Sequence, residues 1–86
     1  MNKDKDNYNR LFVARTRQAR EYPGMKRAEV AMMLGIKEEA YKKYEYRSPL
    51  PTYLIGRFCV LVRCNVEWLV TGQGRRYTPK QGTNSV

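Results

Sequence analysis

Few side chains in this chain have the reactivity or ligand chemistry that catalysis and metal binding demand. There is no histidine, so the side chain that most often moves protons near neutral pH is missing. The two cysteines, Cys59 and Cys64, stand five apart. That spacing matches no zinc motif, and without histidine too few soft ligands remain to close a metal site. No glycine-rich phosphate loop occurs, and the neighbouring carboxylates Glu38 and Glu39 fall on a helix face expected to meet solvent. An enzyme is therefore the least expected class, and no cofactor or metal is expected. Both thiols read as reduced, small apolar fillers in or near the core.

The abundant chemistry is electrostatic. Seventeen Lys and Arg against eight Asp and Glu give a formal net charge of +9, which favours a polyanionic partner, nucleic acid ahead of a membrane surface. The longest apolar stretch, Tyr53 to Val62, is broken by Gly56 and Arg57 and falls far short of the roughly 20 residues that a spanning helix needs. Residues 1–7 alternate Lys and Asp without an apolar run, unlike a signal peptide, so the expected location is the cytoplasm.

Eighty-six residues, 42% of them hydrophobic, supply one core and not two. The pattern predicts an all-α domain over 8–72, a flexible arm over 1–7 and a flexible basic tail over 73–86. Asn7 or Asn9 can cap a first helix running to about Glu21, with Phe12, Thr16 and Ala19 inward, and Pro23-Gly24 stops it. A second helix runs from about Lys26 to Leu34, burying Val30, Ala31 and Leu34. Gly35 terminates it, because glycine takes φ > 0 without a Cβ penalty and lets the next helix start almost at once. That third helix, Lys37 to about Tyr46, turns Ile36, Ala40, Tyr41 and Tyr44 inward and Glu38, Glu39, Lys42 and Lys43 outward. Pro49 and Pro51 bound a loop. Thr52 to about Arg63 has strand-forming residues but keeps helical spacing at Leu54, Ile55, Phe58, Leu61 and Val62, and is read as a helix. Asn65 can cap a last short helix through Thr71, stopped by Gly72, with Trp68 and Leu69 packed on the core.

Four pieces stand in order between Phe12 and Gly72. They are Ala19-Arg20-Glu21; Arg27-Ala28-Glu29-Val30-Ala31 with Leu34-Gly35-Ile36; Tyr44-Glu45; and Val66-Glu67-Trp68-Leu69-Val70-Thr71-Gly72. Together they resemble the lambdoid phage repressor and Cro family of helix-turn-helix regulators, the XRE family. The resemblance implies a five-helix, lambda-repressor-like domain whose third helix lies in the DNA major groove while the second crosses the backbone. It implies phosphate contacts from Lys26 and Arg27 at the head of the second helix and from Arg47 and Ser48 after the third. Lys37, Glu38, Glu39 and Lys43 match positions that face base edges, and Arg20 and Glu45 match a salt bridge inside the domain. Lys42, beside them, can reach phosphate or guanine.

Two glutamates at the head of the third helix depart from the Gln, Ser, Thr, Asn or Arg frequent in the family. Each can accept from cytosine N4, or can simply favour the positive helix end and pair at i, i+4 with Lys42 and Lys43. Tyr41 and Tyr44 read as core, while Tyr46 and Tyr53 can reach the sugar-phosphate backbone. The expected function is a sequence-specific regulator binding double-stranded DNA, a repressor of phage or bacterial genes acting as a homodimer on two half-sites. The alternative is an adaptor or antitoxin-like module whose acidic face takes a protein partner; RNA binding ranks third. Trp68, Leu69 and Val70 suggest a dimer surface on the last two helices.

Overall fold

The first helix starts earlier than either asparagine cap suggests. In the computed structural model, which describes residues 3–78, α1 spans Lys3–Glu21, so the arm expected over 1–7 is helical from residue 3. Asp4 and Asp6 lie in its first turn, where carboxylates are favoured by the helix dipole. Asn7 is a helix-surface partner and not a cap, its Oδ1 accepting from Arg10 Nη2 at 2.5 Å. Tyr8 packs edge-on against Phe12, ring centres 5.8 Å apart, an i, i+4 pair that supports this added turn.

The remaining helices are α2 (Arg27–Leu34), α3 (Glu38–Tyr46), α4 (Thr52–Val62) and α5 (Val66–Thr71). Among the described residues there is no strand, so the domain is all-α. No described helix is long and apolar enough to cross a membrane. The ambiguous segment 52–63 resolves as helix because Leu54, Phe58, Cys59 and Val62 form one buried stripe, and that helical stripe outweighs local strand propensity. α2 packs on α3 and α4, α1 on α3 and α5, and α4 on α5. Phe12, Val30, Leu34, Tyr41, Phe58 and Leu69 fill the space between them.

Local stops set the angles. Gly35 ends α2 at φ 75°; its amide donates to Met32 O at 3.1 Å and that of Ile36 to Ala31 O at 3.0 Å. This wrapped end satisfies carbonyls that the helix leaves open and turns the chain within three residues. Asn65 caps α5, its Oδ1 accepting from Glu67 N at 3.2 Å, and Gly72 ends it at φ 81°. At that far end Arg15 of α1 donates Nε to Leu69 O at 2.8 Å and Nη2 to Val70 O at 3.1 Å.

Two expectations change. The tail is anchored through Thr78: Asn65 N donates to Arg76 O at 2.9 Å, Thr78 N donates to Arg63 O at 3.0 Å, and Tyr77 stacks on Tyr22 with ring centres 4.3 Å apart. One aromatic and a short backbone pairing hold a segment that has no apolar period. Lys80 and the rest of the tail, 79–86, lie outside the described residues. Trp68 and Leu69 are buried in the domain, so they leave only half-buried Val70 of the apolar trio suggested for a dimer surface.

Candidate nucleic-acid interface

α3 separates two chemistries by helical period. Tyr41 and Glu45, four apart, are fully buried, whereas Glu38, Glu39, Lys42 and Lys43 point to solvent, with Lys37 exposed at the N-cap. The buried side anchors the exposed one. Arg20 of α1 donates Nε to Glu45 Oε2 at 2.5 Å and Nη2 to Glu45 Oε1 at 2.9 Å, a two-pronged pair with fixed geometry. Its Nη1 donates to Met25 O at 2.8 Å, tying the loop before α2 into the same network. Tyr41 donates its hydroxyl to Glu45 as well.

These partners settle charge states. The hydrogen bond to Glu45 raises the Arg20 pKa above its usual value, so the guanidinium is charged at every accessible pH. Burial, then the hydrogen bond to the carboxylate, pushes the Tyr41 phenol well above its ordinary range. Among the described residues no buried side-chain nitrogen or oxygen lacks a hydrogen-bond partner. The salt bridge implied by resemblance is thus present, and it fixes α3 against α1.

The exposed edge adds a second cluster. Tyr46, half in solvent, has the guanidinium carbons of Arg17 and Arg27 at 5.6 Å and 5.9 Å from its ring centre, a cation-π arrangement. Arg27 Nη1 donates to the Tyr46 hydroxyl at 3.4 Å and stands 3.9 Å from Glu45 Oε1. Arg17 Nη1 donates to the Glu45 carbonyl at 3.3 Å. A shallow depression of about 250 Å³ follows, lined by Glu39, Lys42, Lys43, Tyr46 and Arg47.

Of the residues singled out in the sequence, Glu39, Lys42, Lys43 and Arg47 therefore converge, and Arg27 joins them through Tyr46. Lys26, Lys37, Glu38 and Ser48 are exposed at helix ends around this cluster; Lys26 N donates to Glu29 Oε1 at 2.8 Å, fixing the head of α2. The ion pairs around α3 join Arg20 to Glu21 and Arg20 and Arg27 to Glu45. Glu38 and Glu39 thus stand outside ion-pair range of Lys42 and Lys43. The i, i+4 pairing offered as their structural role is not formed, and both carboxylates face solvent.

Arg17 was not among the expected residues. Its signal was available, since it lies three before Arg20 and hence on a neighbouring line of the same helix. Arg15 had no such signal, because its partners are backbone carbonyls 54 and 55 residues away. Comparison of the chain with protein-family models, curated proteins and solved structures found no match.

Proposed function

We propose that this chain is a sequence-specific regulator that binds double-stranded DNA through a lambda-repressor-like helix-turn-helix formed by α2, the Gly35 turn and α3. The observation that carries the reading is the exposed face of α3. It presents Lys37, Glu38, Glu39, Lys42 and Lys43 in a row, is backed by the buried Arg20–Glu45 pair, and is flanked by cations at Arg27 and Arg47. In this reading Lys37, Glu38, Glu39 and Lys43 meet base edges, with the glutamates accepting from cytosine N4. Lys26, Arg27, Lys42, Arg47 and Ser48 hold phosphates, and those contacts set register while carrying no sequence information. Rigid backing matters because a helix free to rock could not hold two side chains against one base. A homodimer on two half-sites, acting as a repressor of phage or bacterial genes, completes the proposal.

Salt dependence tests it. Affinity for fragmented duplex DNA should fall steeply as salt rises, and Arg27→Ala should lower the log-log slope by about one while weakening all sequences alike. Glu39→Gln should instead change which sequence is preferred. Salt-insensitive binding, or a complex with a protein partner and none with duplex, would favour the adaptor reading in which Glu38 and Glu39 face a basic protein surface.

A further inference from the structure

The two thiols sit at a helix end whose backbone brings them together. α4 stops at Arg63, a non-glycine residue in the left-handed conformation with φ 61° and ψ 38°. The amides of Arg63 and Cys64 both donate to the carbonyl of Cys59, the latter at 3.0 Å. In this wrapped helix end, the third residue from the end and the second beyond it face each other, and in most proteins the two positions make an apolar contact. Here they are Cys59 and Cys64, and their sulfurs stand 3.7 Å apart. Both residues are buried, 4% and 2% exposed. They nonetheless line a surface cavity of about 500 Å³ together with Gly56, Val60, Arg63 and Val66. The cavity opens beside the two cysteines where Gly56 contributes no side chain and Val60 is largely exposed.

We propose that Cys59 and Cys64 form a modification site, an oxidisable dithiol that hydrogen peroxide converts into an intramolecular disulfide within the folded domain. The chemistry balances without a metal. The Cys59 thiolate attacks one peroxide oxygen, the O–O bond breaks, and water leaves as the second oxygen takes up protons, giving a sulfenic acid on Cys59. The Cys64 thiol then attacks that sulfur, the S–O bond breaks, and a second water leaves. Two thiols are oxidised by two electrons and one peroxide is reduced. The hydrogen bond between the sulfurs lowers the Cys59 pKa, while the same bond and then burial push Cys64 up. The sulfurs must close from 3.7 Å to about 2.05 Å, which rotation of two side chains already facing each other can supply. The link would span the junction of α4 and α5, where Arg63 and Asn65 also hold the tail.

The test is peptide mass mapping without reduction, read on the cysteine-containing peptides, of the native full-length chain after brief treatment with hydrogen peroxide, so that oxidation of the exposed Met32 and Met33 is counted apart. The expected result is a loss of about 2 Da, reversed by dithiothreitol, with neither cysteine open to alkylation in denaturant and unchanged helical circular dichroism. Cys64→Ser should instead gain about 16 Da on the peptide that carries Cys59, the oxygen retained there. Oxygen uptake on the cysteine-containing peptides of the parent in place of the loss of about 2 Da, two cysteines still fully alkylated after treatment, or a disulfide that forms only in denaturant would each overturn the proposal.

Discussion

At the residue scale, Glu45 is the side chain on which the interface depends. A carboxylate with no solvent exposure is tolerable only while its partners are in place, because an unpaired buried charge costs far more than the pair contributes. Arg20→Met should therefore cost about 3–5 kcal/mol in urea unfolding. Arg27 touches the same carboxylate at 3.9 Å and has a third of its side chain exposed, so Arg27→Ala should cost under about 1 kcal/mol. The contrast separates folding from binding, since Arg27 is the one assigned to phosphate. A second prediction concerns pH. The Tyr41 phenol is held neutral in the folded state, so the native chain binds a proton that the unfolded chain releases near the ordinary tyrosine value of 10.0. Stability from this group is complete below that pH and is lost as pH rises above it. Urea midpoints compared below and above about pH 10 should fall for the parent and fall less for Tyr41→Phe. An equal fall in both would mean the phenol is not protected. Tyr41 was legible as an inward residue from helical period alone, but its bond to Glu45 was not. The Arg20 partner came from resemblance, since nothing local joins residues 25 apart. Arg15 looks like any other solvated cation in a chain with 17 of them, and only the fold reveals the carbonyls it meets.

Element boundaries were legible wherever backbone chemistry is local. Gly35, Gly72 and Asn65 each act where the sequence placed them, because a left-handed stop or an oxygen cap depends on a few neighbouring residues. The start of α1 was misplaced, since Asn7 can cap or can bond along a helix surface, and the choice depends on Arg10 and on the Tyr8–Phe12 contact. The tail was missed because Tyr77 finds Tyr22 and Gln18 across the fold, a pairing no period encodes. Arg63 shows the same gap: a stop at φ 61° without glycine carries no compositional mark. Two glycines give predictions of opposite sign. No heavy atom lies within 4 Å of where a Cβ would stand on Gly35 or on Gly56, so space does not distinguish them. Gly35 has φ 75°, and Gly35→Ala should lose about 1 kcal/mol. Gly56 lies inside α4 with ordinary helical backbone, so Gly56→Ala should gain about 0.5–1 kcal/mol. Thermal midpoints moving in the same direction for both would contradict the assigned conformations.

At the scale of the domain, the five helices of the described residues, arranged about one core, leave α3 backed by α1 and α2 and open on its charged side. A net charge of +9 draws such a domain toward polyanions at long range, but charge alone does not choose a groove or a sequence. In the proposed reading those depend on the short row from Lys37 to Lys43, where two carboxylates sit among lysines with no ion partner among the described residues. The most direct measurement is methylation protection at guanine N7, a major-groove atom, on a duplex selected by the protein from random sequence. Protected guanines in two symmetric half-sites about one helical turn apart, lost for Lys43→Ala while Arg20–Glu45 still holds the fold, are the expected result. A duplex bound with its major-groove guanines fully reactive, or no duplex selected at low salt, would contradict a reading helix seated in the groove.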